Sequence, residues 1–282
     1  MRKPPKSLAD RLILTVGIGL VLGLLVVPLV LIFSKALGDG LPALWSNLQE
    51  DYMLHAIGLT LFVAVLTVPL NMVFGILLAW CLTHYQFRGR RLLSTLVDLP
   101  YAVSPVVAGL CYLVVYGVES SLGQWLSARD IQLMFAWPGI LMVTIFVTTP
   151  YVARILIPVM QAQGSDAQAA ALSLGANGWQ IFWHVTLPDI KWALLYGVVL
   201  TNARAIGEFG AVSVVSGTIM NQTLTLSLLV DQLNNDNKAA AAFTAAALLA
   251  VFAIVSVMLK SLLEWRVAAG RRRNQAEAVQ QG

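Results

Sequence analysis

The sequence predicts an all-α integral membrane protein with six transmembrane helices. Three observations carry that prediction. Of 282 residues, 58% are hydrophobic and only 11% are charged, whereas a soluble domain carries about 25% charged residues. Six apolar runs, at about 12–33, 56–82, 92–117, 135–160, 192–216 and 239–263, match the ~20 residues that cross a hydrocarbon core. Between the runs, Lys and Arg collect in alternate loops. The length fits one integral domain. Residues 1–54 form a tail, a first helix and an outer loop, 55–264 hold five further helices, and 265–282 form a basic tail.

The first run has a basic flank of Arg2, Lys3, Lys6 and Arg11. Ser34-Lys35-Ala36 mimics a cleavage site, but the apolar stretch exceeds the roughly 7–15 residues of a signal-peptide core, so an uncleaved anchor is expected. Prolines 28, 69, 100, 105, 138, 150 and 158 fall in the runs. Each removes a backbone donor, which a membrane helix tolerates where neighbouring helices or water satisfy the freed carbonyl. Pro100 and Pro105, with Ser104 between them, predict a bent third helix facing the protein interior or an ordinary kink. Trp80, Trp137, Trp192 and Trp265 lie near run ends, as in an aromatic belt. Cys81 and Cys111 sit in apolar runs and read as small hydrophobes. The alanines of the last run, Ala239 to Ala242 and Ala245 to Ala247, predict a close-packing face. Segment 217–238 is polar and reads as a cap over the path, as a meeting point for an external protein, or as a solvated loop.

Orientation follows from the cations, which stay on the cytoplasmic side. The N-terminal flank carries four, loop 83–91 carries Arg88, Arg90 and Arg91, and the C-terminal end carries Lys260, Arg266, Arg271, Arg272 and Arg273. The alternate loops hold Lys35, Arg129 and Lys238. Both termini and loops 83–91 and 161–191 are therefore expected in the cytoplasm.

Arg204 and Glu208 stand inside the fifth run. Arg204 lies ~18 Å from the cytoplasmic start of that run, at 1.5 Å rise per residue. Four residues apart, the two share a helix face and can pair. Ions at that depth face a bundle interior or a wet cavity. With Thr201, Asn202 and Ser104 they line a path for an anion, or they form a structural pair that locks the bundle. Asp98 reads as a shallow interfacial charge near Arg90 and Arg91.

Residues 168–188, QAAALSLGANGWQIFWHVTLP, form a moderately polar island on the cytoplasmic side. A connector has no use for Leu172, Leu174, Trp179, Phe182 and Trp183. The stretch reads as a short helix, a glycine turn at Gly175, a second short helix and a Leu187-Pro188 stop. It would fill a partner's groove or lie in the headgroup layer.

The same stretch resembles the signature loop of ATP-binding-cassette importer permeases, E-A-A, three residues, G, nine residues, I-x-L-P. Ala170 and Ala171 fall on the two alanines, Gly175 on the glycine, Val185 on the isoleucine, and Leu187 and Pro188 on the closing pair. Ala169 replaces the glutamate, so Asp166 or Gln168 is left as a candidate substitute for its polar contact. NMVFGILLAW (71–80), AVSPVVAGL (102–110), 134–160 and LLYGVVLTNARAIGEFGAVSVVSG (194–217) are similar to the W-type permeases of sulfate/thiosulfate importers. The resemblance implies a type I importer permease fold with a cytoplasmic coupling helix, in a bacterial inner membrane. It implies two copies of an ATPase subunit, a T-type permease and a periplasmic sulfate/thiosulfate-binding protein as partners. It also implies that the chain binds no cofactor of its own, ATP and Mg being held by the ATPase. No G-x-x-x-x-G-K-[ST] occurs, so the chain lacks a P-loop for hydrolysing ATP. A permease for another oxyanion such as molybdate is the nearest alternative. A secondary anion transporter wants internal repeats, and none stands out. A membrane enzyme wants a clustered catalytic set, but His55, His84 and His184 are spread among run ends and the loop.

Overall fold

The computed structural model describes residues 8–164 and 166–280, without the side chains of 8 and 265–280. The basic residues Arg2, Lys3 and Lys6, and the side chains of Trp265, Arg266, Arg271, Arg272 and Arg273, lie outside the described residues.

The first run forms α1 (Leu8–Val21), a π-turn at Leu22–Val26, and α2 (Val27–Ala36). Its apolar window is 0% buried, and α2 packs along one side, from Leu29 to Ala36, against the last helix. A short α3 (Leu41–Gln49) leads to α4 (Asp51–His84), 34 residues long. The buried residues of α4 recur every three or four positions, from Met53, Ala56 and Leu59 through Asn71 and Gly75 to Leu82. That is one continuous helical stripe, and it lies on α8 (Trp137–Gln163). The helices approach so closely that a Cβ on Gly75 would lie 2.5 Å from Val152 Cβ. Buried Asn71 clamps the pair, donating to Thr148 Oγ1 (2.6 Å) and accepting from Thr149 Oγ1 (2.9 Å).

The third run is broken more sharply than a kink. α5 (Arg90–Ala102) and α6 (Pro105–Tyr116) meet at 109°. Val103 and Ser104 are extended; Ser104 precedes Pro105, and a residue before proline is pushed out of the helical region. α7 (Ser121–Ser127) follows. After α8 come α9 (Asp166–Ser173), α10 (Gly178–Ile181), a π-turn at Phe182–Thr186, and α11 (Leu187–Ile206). The fifth run does not continue to 216 as one helix: α11 stops at Ile206, and α12 (Gly210–Val215) starts after a break.

Segment 217–238 is not a plain solvated loop. It forms α13 (Leu226–Asn235), whose Leu226, Leu228, Leu229 and Leu233 are buried in the main core. Thr60 Oγ1 of α4 accepts the Leu226 N–H at 2.8 Å. α14 (Ala239–Gln280) closes the bundle, burying Ala241, Ala242, Ala245 and Ala247 of the expected small-residue face and also Ala250, while Ala239 and Ala240 stay exposed. Cys81 is half-buried and Cys111 exposed, both free.

Among the described residues, four helices are long and apolar enough to cross a membrane, five if the bent pair is one span. α11 is not among them, since its 20 residues include Asp189, Lys191 and Arg204. The fold is therefore an all-α, multi-pass membrane bundle. One core joins α4, α8, α12, α13 and α14, and a smaller one joins Ala79, Val152, Leu156, Met160, Ile190 and Leu194 near the start of α11.

Candidate coupling foot and membrane-embedded ion pairs

The foot, 164–188, projects beside the ends of α4 and α8. α9 ends in a Schellman motif: the Ala176 N–H reaches Ala171 O (3.0 Å) and the Gly175 N–H reaches Leu172 O (3.0 Å). Gly175 sits between them at φ +86° with open space around its Cβ direction. The glycine is thus demanded by backbone conformation rather than by crowding. Asn177 then opens α10 with a reciprocal capping box, its Oδ1 accepting the Gln180 N–H while Gln180 Oε1 accepts the Asn177 N–H, both at 2.9 Å.

Leu187-Pro188 does not stop the second helix. The chain is helical from Gly178 to Ile206. The Leu187 N–H bonds Phe182 O, five residues back. This π-turn absorbs the donor that Pro188 lacks. Ala169, Ala170, Gly175 and Pro188 are exposed, and Ala171, Val185 and Leu187 are half-buried. Around them stand Leu174 at 88% exposure and Trp179 at 70%. Trp179, Phe182 and Trp183 pack on one another with ring centroids 5.6–6.1 Å apart. An apolar surface is therefore presented outward from this end. Gln168 does not face outward in place of the missing glutamate. It turns inward, to His84 at 2.8 Å and Thr186 at 3.3 Å. Asp166, in the first turn of α9, stays exposed.

Arg204 and Glu208 do pair, Nη1 to Oε2 at 2.8 Å, but not along one helix face. Glu208 lies beyond the end of α11, in the break before α12. Its side chain is 1% exposed against 31% for Arg204. Oε1 accepts the Ala211 N–H (3.0 Å), capping α12, and the Glu208 carbonyl accepts Ser227 Oγ (2.7 Å). The carboxylate thus joins α11 to α12, and the backbone carbonyl of the same residue adds the start of α13. The two breaks are neighbours: a Cβ on Gly210 would lie 3.2 Å from Pro105 Cβ. Ser104 is exposed in the α5–α6 break and makes no side-chain cap to α6. Thr201 is buried with its hydroxyl unpartnered, and Asn202 is half-buried on α11.

A second pair is absent from the sequence reading. Asp98 binds Arg154 of α8 through two short contacts. Asp98 lies eight residues into α5 and Arg154 nine residues before the end of α8. Both are ~12–14 Å from the foot-side ends of their helices. The Arg154 side chain is 54% exposed, beside the edge-to-face pair Tyr101–Tyr151 (5.3 Å). The rule that singled out Arg204 applies equally to Arg154, an ion inside an apolar run.

The chain belongs to the family of binding-protein-dependent transport system inner membrane components, whose pattern matches residues 71–269. Within that class it is 55% identical over 264 residues to the sulfate transport system permease protein CysW of Escherichia coli (strain K12), covering 93% of this chain and 91% of the relative. Against the sulfate transport system permease protein CysT of the same strain, identity falls to 39% over 186 residues, 66% of this chain and 67% of that one. The fold matches a chain of a bacterial alginate ABC transporter in complex with an alginate pentasaccharide-bound periplasmic protein. The TM-score is 0.74 at 18% identity, over 90% of this chain and 91% of that one.

Proposed function

We propose that the chain is the W-type permease subunit of an ATP-driven sulfate/thiosulfate importer in a bacterial inner membrane. The 55% identity to a sulfate transport system permease over 93% of the chain carries this reading. The bundle crosses the membrane six times. The broken α5–α6 pair and α11 with α12 supply the two passes beyond the four long helices. Both termini and the foot face the cytoplasm. Arg88, Arg90 and Arg91 lie at the foot end, since His84 just before them touches the foot, and cations are retained on the cytoplasmic side. The unit 55–264 is the transport domain, flanked by 1–54 and 265–282.

Two ATPase subunits, holding ATP and Mg, dock below the permease pair; the foot is their contact on this chain, and α9 with α10 acts as its coupling helix. Ala169, Ala170 and Ala171 allow close approach, Gly175 sets the turn, and Val185, Leu187 and Pro188 join the foot to α11. With Ala169 in place of glutamate, docking rests on the apolar surface of Leu172, Leu174 and Trp179. A T-type permease completes the pore, and a periplasmic sulfate/thiosulfate-binding protein delivers the anion. Closure of the ATPases moves the foot and opens the path outward. The path includes Arg204, Glu208, Asn202 and Ser104. The cation attracts the anion, and the carboxylate keeps Arg204 from holding it too tightly.

Uptake of radiolabelled sulfate tests this in a strain deleted for the gene. Restoration by the chain, competed by thiosulfate but not by molybdate, is expected. Restoration of molybdate uptake alone would assign the other oxyanion. Uptake that persists without the ATPase would make the chain a secondary transporter.

A further inference from the structure

The eight-residue α9 is held loosely by its own backbone. Gly164 (φ +71°) precedes it and Gly175 (φ +86°) follows it, each with open space around its Cβ direction. None of the residues of α9 is buried. A helix flanked by two glycine turns and lacking a buried face depends on side-chain contacts to hold its orientation against the bundle. Among the described residues, the side-chain hydrogen bonds that leave α9 for other elements all come from Gln168.

Gln168 is gripped from both sides. His84, the last residue of α4, donates from Nε2 to Gln168 Oε1 at 2.8 Å. The Gln168 amide donates to Thr186 Oγ1, buried at the end of the π-turn, at 3.3 Å. The His84 ring is itself fixed. Nδ1 lies 2.8 Å from Thr83 Oγ1, and the ring stacks flat on Trp80 with centroids 4.2 Å apart. Trp80 in turn meets Phe182 of the foot edge-on at 6.2 Å. The residues joined, 84 and 168, are 84 positions apart. The backbone connects the foot to α8 and α11, and this clasp is what joins α9 to α4.

We propose that His84 and Gln168 are positioning residues for transport: the clasp fixes the hinged α9 to α4, so that a push on the foot moves the spanning bundle instead of swinging α9 about Gly164 and Gly175. This rests on the reading of the foot as the ATPase docking site, and deepens it. Docking belongs to the outward side of α9, and transmission to its inward side. Transmission depends on a hydrogen bond that side chains other than glutamine and histidine can be asked to reproduce.

The complete importer, reconstituted in liposomes with both permeases, the ATPase and the binding protein, provides the test. Sulfate imported and ATP hydrolysed are measured together, with co-purification of the ATPase as the docking readout. Gln168→Ala and His84→Ala are expected to retain the ATPase and its hydrolysis. Sulfate imported per ATP should fall by about fivefold, the factor that one hydrogen bond of ordinary strength supports. The double variant should be no worse than either single. His84→Gln, which keeps an amide donor at the reach of Nε2, should restore most of the ratio. A wild-type ratio in Gln168→Ala, or a double-variant loss equal to the product of the singles, overturns the inference. If His84→Ala fails to assemble, Gln168→Ala and Thr186→Val carry the same test from the foot side. Failure of the docking reading is separate: it would appear as full ATPase co-purification in Leu174→Glu and Gly175→Val.

Discussion

Glu208 holds three connections with one buried carboxylate and carbonyl. Glu208→Ala leaves Arg204 unpaired and the Ala211 N–H without an acceptor, and is expected to cost on the order of 3 kcal/mol. Thermal unfolding of the purified complex measures this, and an unchanged midpoint would remove the locking role. Arg204→Gln separates path from lock: uptake should fall while the amount of assembled complex holds. The Asp98–Arg154 pair admits a different check. Each neutralisation, Asp98→Asn or Arg154→Gln, leaves one uncompensated charge in a spanning helix. Membrane levels should drop in both singles and recover in the double. The i, i+4 spacing of Arg204 and Glu208 was legible in the sequence, and Gly207 at the end of α11 carries a helix-stop signal, but the capping of α12 was not legible, because that cap forms only once the chain has broken there. Arg154 carried the same signal as Arg204, an ion in an apolar run. Its partner Asp98 was hidden because 56 positions separate them.

At the level of elements, α4 and α8 illustrate how one helix makes two demands of glycine. Gly75 faces Val152, while Gly58 on the same helix meets nothing within 4 Å. Gly75→Ala must push the helices apart and is expected to cost about 1–3 kcal/mol. Gly58→Ala should instead stabilise by roughly 0.5–1 kcal/mol, from helix propensity alone. Melting of the purified protein should move in opposite directions for the two; equal shifts would mean that α4 does not press on α8 at Gly75. In the foot, Gly175→Val places a β-branched residue at φ +86°, a conformation such residues rarely adopt. ATP-dependent uptake should be lost with the protein still in the membrane. The glycine turn was legible because a helix stop is a local event. The Leu-Pro stop was misread because proline in a first helical turn starts a helix as readily as it follows one. Segment 217–238 looked polar only because its alternating Leu residues were averaged with Asn and Asp. Folded as α13, they form one buried face.

Across the whole molecule, the spanning helices expose long apolar faces, α1 most completely. Lipid or partner helices cover such faces in a bilayer. Six passes with a cytoplasmic foot make a topology prediction. With Cys81 and Cys111 replaced by alanine, Arg88→Cys should react with an impermeant thiol reagent only from the cytoplasmic side. Arg129→Cys should react only from outside, and labelling of both from one side would break the six-pass arrangement. Composition and run length determined by themselves that this is a membrane bundle. The residue order of 168–188 determined where its foot lies and where that foot turns, since both are properties of contiguous residues. The tertiary structure alone decided that Asp98 meets Arg154, that the α5–α6 break lies against Gly210, and that Gln168 faces His84 rather than outward. Each of these joins residues that are distant in the chain, and packing, not local preference, selects among the partners that chemistry allows.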